Sequence, residues 1–240
     1  MLKKINTILF DLDGTLLSID MKEFEEIYYT SLSNAFKSII APDNFMAILY
    51  SSVKAMVKNK EKRTNEEVFM SAMKEHVGEE LPAFQKHFIR YYENDFSVLR
   101  NAVNKNTDML EALDILKEKG YELVIATNPL FPKFAIDQRI QWADLVHEDF
   151  SHITYFEDCH YCKPNVEYYS EILETIGKNP QECLMVGNDA EEDLAASTLG
   201  ITTYLITNHL LNRKNLNYTA DHEGTYKDFL LFAESMPVVS

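Results

Sequence analysis

The strongest constraint on this chain lies at its start. A short apolar run, Thr7 to Phe10, passes directly into Asp11-Leu12-Asp13-Gly14-Thr15-Leu16-Leu17. The run reads as a buried strand, and Gly14 marks the turn that ends it. Two carboxylates two residues apart at a strand end point to the same side and converge on one small volume. Like charges that close cost free energy unless a cation neutralises them. A hard divalent ion such as Mg²⁺, which prefers carboxylate oxygens and keeps several waters, is the simplest neutraliser. One of the two carboxylates can also serve as a nucleophile, because aspartate forms a covalent acyl-phosphate. The plainer reading is an ordinary Asp-Gly turn beside a helix cap. The pair of carboxylates directly after an apolar strand outweighs it.

The next stretch, of about eighty residues, carries only helical spacing. Phe24, Ile27, Tyr28, Leu32, Phe36 and Ile39 form one set, and Phe45, Leu49, Val53 and Met56 a second. Phe69, Met73 and Val77 form a third, and Leu81, Phe84, Phe88, Tyr92 and Leu99 a fourth. Pro42, the charged run Lys58–Arg63 and Gly78–Pro82 separate them. Successive amphipathic helices predict a compact bundle, with the aromatic stripes as its core.

From Thr107 onward helix and strand alternate. The spacing predicts a helix from a Thr107 cap to Gly120, a strand Tyr121–Ala126, a helix near Phe134–Leu145 and a short strand Ile153–Phe156. A helix from Pro164 to Gly177 follows, with Pro164 at its first position. The strand Cys183–Val186, a helix through Asp193–Leu199 and the strand Thr202–Ile206 complete the series. Such alternation means a parallel sheet covered on both faces, a Rossmann-like α/β core. Ligands bind outside the carboxyl ends of such strands, where Asp11, Thr127 and the pair Asn188-Asp189 lie. The expected domains are therefore a core of residues 1–18 and 101–240 and an inserted helical cap of residues 19–100.

Four segments together resemble the signatures of the haloacid dehalogenase-like (HAD) hydrolase superfamily. They are Asp11-Leu12-Asp13-Gly14-Thr15, the strand Leu123-Val124-Ile125-Ala126 ending in Thr127-Asn128, Lys163-Pro164, and Leu184-Met185-Val186-Gly187-Asn188-Asp189 with Asp193 following. Each alone is common, but their order and their strand or helix boundaries make the set specific. The resemblance implies the same architecture, with a helical cap inserted after the first motif. It implies a Mg²⁺-dependent phosphatase acting on a small phosphomonoester through an aspartyl-phosphate on Asp11. Asp13 would protonate the leaving alcohol and then activate water. Thr127 and Asn128 would bind phosphate, and Lys163 would supply positive charge to Asp11 and the phosphoryl group. Mg²⁺ would sit on the Asp11 carboxylate, the Asp13 backbone carbonyl and the fourth motif. There the sequence departs from the usual Gly-Asp: counting from Gly187 gives Asn188 as the ligand, and counting back from Asp193 gives Asp189. Asp193 is a supporting residue.

The true dehalogenases of the superfamily carry an aromatic residue where this chain has Asp13, so a carbon–halogen bond is a poor substrate guess. A phosphomutase of the same superfamily is the alternative, and a silent phosphate- or partner-binding domain on the same fold is a reading from another class. Intact Asp11, Asp13 and Lys163 argue against silence. Lys54, Lys58, Arg63, Lys74 and Arg90 of the helical segment are candidates to meet a substrate anion, although solvated helix faces explain them more simply.

Charge bears on partners. With 38 acidic and 23 basic residues the formal net charge is −15. Such a surface repels nucleic acid and anionic membranes, and any phosphate site has to be neutralised locally. Met1 to Phe10 has two lysines and some apolar residues, but the run is too short for a signal peptide and Asp11 interrupts it. No stretch reaches the ~20 apolar residues of a membrane span. The three cysteines are an odd number in a large chain, which argues against a disulfide framework. Cys159-His160-Tyr161-Cys162 reads as two reduced thiols in a loop beside Lys163, not as half a zinc site or a redox pair. A cytoplasmic protein, monomer or homodimer, with a small phosphorylated metabolite as its partner, is the expectation.

Overall fold

The computed structural model describes residues 4–239. Residues 1–3 and 240 of the expected core lie outside the described residues. Side-chain alternation explains the central sheet. In β1 (Thr7–Phe10), Ile8 and Phe10 enter the core on one face and Leu9 the core on the other. β1 pairs in parallel with β4 (Glu122–Ile125) on one side and β6 (Cys183–Gly187) on the other. β5 (His152–Ile153), β7 (Thr202–Ile206) and β8 (His222–Gly224) complete a six-stranded sheet in the order β5-β4-β1-β6-β7-β8, parallel throughout.

Both faces are covered. α5 (Thr107–Glu118) and α8 (Tyr226–Ser235) bring Met109, Leu113, Leu116 and Phe229 onto Ile8, Phe10, Leu123 and Ile125. Ile136 and Ile140 of α6 (Lys133–Trp142) join that cluster. α7 (Val166–Ile176) packs Tyr168, Tyr169 and Ile172 against Leu9, Val124 and Met185 on the opposite face. The α/β class expected from the alternation is the observed one. Because β4 and β6 run out from opposite sides of β1, the strand order reverses there. That makes the carboxyl end of β1 the natural ligand crevice.

The helical segment comprises α1 (Met21–Phe36), α2 (Pro42–Val57), α3 (Asn65–Val77) and α4 (Leu81–Arg90). A third hydrophobic cluster holds it together, with Phe24, Leu32, Phe36, Phe45, Met73 and Phe84 at its centre. Both of its connections pass through one small antiparallel pair, β2 (Ser18–Ile19) with β3 (Val103–Asn104). The predicted fourth helix does not run on to Leu99. It gives way to a π turn at Tyr91–Asp95 and a 3₁₀ run at Phe96–Ala102. Tyr91 and Tyr92, both buried, sit in the wide turn.

Other boundaries also move. Asn106, not Thr107, caps α5: its Oδ1 accepts from the Met109 amide at 3.3 Å while its Nδ2 donates to the Thr15 carbonyl at 3.3 Å. Pro164 is not the first residue of α7. It follows Lys163 through a cis peptide bond, and Asn165 takes the N-cap position. The short strand expected at Ile153–Phe156 is His152–Ile153 and stops early, with Phe156 turned away into the helical cluster. Only a 3₁₀ run, Leu194–Leu199, stands where a helix from Asp193 was expected. β8 and α8 were not foreseen.

Candidate active site

The loop after β1 is tightly bonded. Asp11 N–H donates to the Val186 carbonyl at 2.8 Å, Leu17 N–H to Leu12 at 2.8 Å and Gly14 N–H to Leu17 at 2.8 Å. Gly14 has φ +85°, and a Cβ there would lie 2.3 Å from Asn188 Nδ2. Only glycine lets the loop close down on the end of β6. Thr15 Oγ1 donates to Asn188 Oδ1 at 3.0 Å, and the Tyr226 hydroxyl donates to the Gly14 carbonyl at 2.8 Å. The loop is thus held from β6 and from α8 at once.

Lys163 lies under this loop, 1% exposed. Its Nζ is 2.8 Å from Asp11 Oδ1 and 2.6 Å from Asp193 Oδ1. Burial alone would lower the lysine pKa. The two carboxylates outweigh it and hold it well above its ordinary value. Burial pushes the Asp11 and Asp193 carboxyls upward, with Lys163 pulling both the other way. Asp193 also accepts from the Asp189 N–H at 2.8 Å. Gly187 makes that approach feasible, since a Cβ on it would sit 2.1 Å from Asp193 Oδ2.

Arg139 of α6 is the largest feature the sequence reading missed. It is wholly buried, and its Nη1 is bonded to Asp13 Oδ2. Its Nε donates to Ala135 at 3.2 Å, and its guanidinium lies 4.5 Å from the Phe131 ring centroid. Burial raises the Asp13 pKa; Arg139, then Lys163, oppose that rise. Asp13 Oδ1 and Arg139 Nη2 are buried without a protein partner. The only sequence signal for Arg139 is its place on the inward face of α6, beside Ile136 and Ile140.

Asp11, Asp13, Thr127, Asn128, Asn188, Asp189 and Asp193 all line one cavity of about 190 Å³. Lys163 backs it through Asp11. The Thr127 carbonyl accepts from Thr154 at 2.7 Å and from the Tyr168 hydroxyl at 2.8 Å, which fixes the strand end. Asn128 Oδ1 accepts from the Lys163 N–H at 3.2 Å, and its Nδ2 donates to Glu192 at 2.9 Å. Burial, opposed by Lys163, pushes the Glu192 carboxyl up to about 8. Lys54, Lys58, Arg63, Lys74 and Arg90, for which solvated helix faces were the simpler reading, are not among the residues lining the cavity. Arg213, unforeseen, is. Its Nη1 pairs with Asp189 Oδ2 at 2.7 Å, and its Nη2 comes within 3.8 Å of Glu25 in α1.

The donors present suit a hard cation. Asp11, Asp13, Asp189 and Asp193 face Lys163, Arg139 and Arg213, and Glu192 adds a further carboxyl. The site carries net negative charge before a phosphate enters, so oxygen-preferring Mg²⁺ fits it. Among the described residues, no group of three or more His, Cys, Asp or Glu side chains is already gathered around a metal position. The two candidates in the fourth motif differ in their commitments. Asp189 Oδ1 accepts from the Glu191 and Glu192 amides at 2.8 and 2.9 Å, and its Oδ2 is held by Arg213. Asn188 Nδ2 donates to the His209 carbonyl at 2.7 Å, and its Oδ1 accepts from Thr15. Cys159, Cys162 and Cys183 are free and buried, and burial pushes the Cys159 thiol up to about 12.

Comparison with known proteins agrees with this geometry. The chain is 30% identical over 139 residues to a glyceraldehyde 3-phosphate phosphatase of Methanothermobacter thermautotrophicus, covering 55% of this chain and 57% of that protein. It is 24% identical over 242 residues to the pyrophosphatase PpaX of Bacillus cereus, covering 99% and 97%. The crystal structure of a HAD phosphatase from Thermococcus onnurineus shares the fold, with a TM-score of 0.59 at 21% identity over 98% of this chain and 100% of that one. The model of the haloacid dehalogenase-like hydrolases matches residues 5–200, and the chain belongs to that family.

Proposed function

We propose that this protein is a Mg²⁺-dependent phosphatase that hydrolyses a small phosphomonoester through an aspartyl-phosphate on Asp11. The observation that carries this reading is the Asp11 carboxylate, on the cavity wall and 2.8 Å from the buried Lys163 ammonium. The names of the relatives, a glyceraldehyde 3-phosphate phosphatase and a pyrophosphatase, support phosphoryl chemistry.

The residues divide the work between binding, attack and proton transfer. Thr127 and the neighbouring Asn128 receive the phosphoryl oxygens, with Lys163 drawing off negative charge. An Asp11 oxygen attacks phosphorus while the bond to the leaving alcohol oxygen breaks. Asp13 gives that oxygen a proton, becoming a carboxylate, and then takes a proton from the water that attacks the aspartyl-phosphate. The second step frees phosphate and restores Asp11. Asp13 Oδ1, buried and without a protein partner, is the oxygen that Arg139 leaves unengaged. Arg139 holds the other oxygen and so fixes the carboxyl group. Bound Mg²⁺, held by the Asp11 carboxylate, the Asp13 carbonyl and Asn188 or Asp189, would neutralise the charge that builds on phosphorus.

Residues 19–100 act as a cap over this site, with β2 and β3 as its two connections and the Glu25–Arg213 contact reaching from cap to core. The formal charge of −15 fits a small metabolite as partner, not nucleic acid or a membrane surface. Among the described residues no helix is long and apolar enough to cross a membrane, consistent with a cytoplasmic place. The test is phosphate release from p-nitrophenyl phosphate with Mg²⁺. Asp11→Asn should drop turnover to background while the circular dichroism of the fold persists. Activity within tenfold of wild type in that variant overturns the covalent route.

A further inference from the structure

We infer that the alcohol half of the substrate is apolar: an alkyl or aryl phosphomonoester with no second anionic group, its tail running from the active-site cavity into a second cavity of the helical segment. This rests on the phosphatase reading above and specifies its substrate class.

The first observation is the apolar part of the active-site wall. Met21, Phe24, Tyr28, Leu49, Val53 and Phe131 line the 190 Å³ cavity together with Asp11 and Asp13. The second is a larger neighbouring cavity of about 480 Å³, with Phe69, Met70, Phe88 and Phe156 in its wall. The two cavities share Tyr28, Leu49, Val53 and Leu130. The cavities therefore adjoin at those four side chains, past which a tail anchored by its phosphate at Asp11 would run.

Charge and polarity work against a doubly anionic substrate or a sugar. The second cavity is lined by Glu66, Glu93 and Glu157, and no lysine or arginine is among its lining residues. In the first cavity Arg213 is already engaged by Asp189, with Glu25 3.8 Å away. A second phosphate or a carboxylate on the substrate would meet carboxylates without a spare cation. Between the cavities a sugar's hydroxyls would exchange water for Leu49, Val53 and Leu130, and the Tyr28 hydroxyl there is already bonded to that of Tyr92 at 2.9 Å. An alkyl tail needs no polar partner there. Two large apolar side chains of the second cavity, Ile89 and Phe134, are also 59% and 48% exposed, surface that a bound tail would cover.

The test is a chain-length series: ethyl, butyl, hexyl and octyl phosphate with Mg²⁺, beside glucose 6-phosphate and phosphoglycolate. Burying each added methylene should raise kcat/KM about fourfold until the path is filled. Both polar phosphates should fall at least tenfold below hexyl phosphate. Met70→Glu and Ile89→Glu place a charge in the second cavity, and each should cut the octyl-to-ethyl ratio of kcat/KM at least tenfold. Ile89 is exposed, so that variant keeps the fold. A flat series with clear turnover of all esters overturns the inference and leaves the phosphatase reading standing. So does an unchanged octyl-to-ethyl ratio in both variants, which removes the second cavity from the path. No phosphate release from any ester overturns the phosphatase reading and this inference with it.

Discussion

Arg139→Met tests how the second aspartate is held. The variant keeps an apolar stem and removes the guanidinium that lies over Phe131 and carries the charge beside Asp13. Two unit charges at a contact of about 3 Å attract by about 5–6 kcal/mol at an effective dielectric of 20. Desolvation of both groups offsets most of that, so the intact pair adds little net stability. Removing one partner is different, because the other charge stays buried: the Asp13 side chain is only 15% exposed. The loss should be about 3–5 kcal/mol, or roughly 10 °C in Tm for a chain of this size. It also has a pH signature. Without Arg139 the folded-state pKa of Asp13 rises further above its unfolded value. A raised carboxyl stabilises the fold below the unfolded pKa and loses that contribution as pH climbs through the folded one. The deficit against wild type should therefore be larger at pH 8 than at pH 5. Guanidinium denaturation at both pH values measures it, in a cycle with Asp13→Asn. The double variant holds no unpaired charge and should lose at least about 2 kcal/mol less than the two singles together. Additivity within about 0.5 kcal/mol, or a loss below about 1 kcal/mol in Arg139→Met, would refute the argument.

Three further outcomes are expected. Mg²⁺ should raise Tm, because it binds only the folded carboxylate cluster. If Asn188 is the ligand, Asn188→Asp lowers the Mg²⁺ needed for half-maximal activity and Asp189→Asn matters less. If Asp189 is the ligand, Asp189→Asn sharply raises that requirement and Asn188→Ala is mild; full activity in excess EDTA rejects both. Glu192, with its carboxyl pushed to about 8, stabilises the fold below the ordinary glutamate pKa and stops doing so as pH rises through 8. Glu192→Gln should flatten that decline, worth on the order of 5 kcal/mol at most, and an unchanged Tm slope between pH 5 and 8 sinks the idea. Gly187→Ala puts a methyl 2.1 Å from Asp193 Oδ2 and should displace Asp193 from Lys163, costing about 1–3 kcal/mol and most of the turnover. Wild-type stability and activity in that variant would contradict the packing described.

The central strands were legible because they are buried on both faces and bounded by turn residues. Thr202–Ile206 needed no adjustment, and Cys183–Val186 gained only Gly187. The motif residues were legible because they terminate those strands, so reading the strands placed Asp11, Thr127 and Asn188 at one end. Helix ends were harder. Asn106 and Asn165 take the N-cap positions, and both are also tied to distant backbone, Thr15 and Val57, contacts invisible in a local window. α8 did carry a local signal, the capping box of Thr225 with Asp228, but β8 before it is three residues long and half exposed. Arg139 and Arg213 were missed for one reason. A charged side chain in a polar stretch reads as solvated until the fold brings a carboxylate to it, and Asp13 and Asp189 lie far from them along the chain.

The hydroxyl of Tyr226 on the Gly14 carbonyl joins positions 212 residues apart. During synthesis, then, the Asp11–Leu17 loop leaves the ribosome about two hundred residues before the clasp that secures it. Its bed arrives piecemeal in between: the β4 flank first, Lys163 next, and the β6 flank with Asn188 after that. A nascent chain stalled before Tyr226 has every acidic group of the centre in hand, yet its loop still lacks one of its ties. Translation time itself thus separates the appearance of these carboxylates from their fixed arrangement.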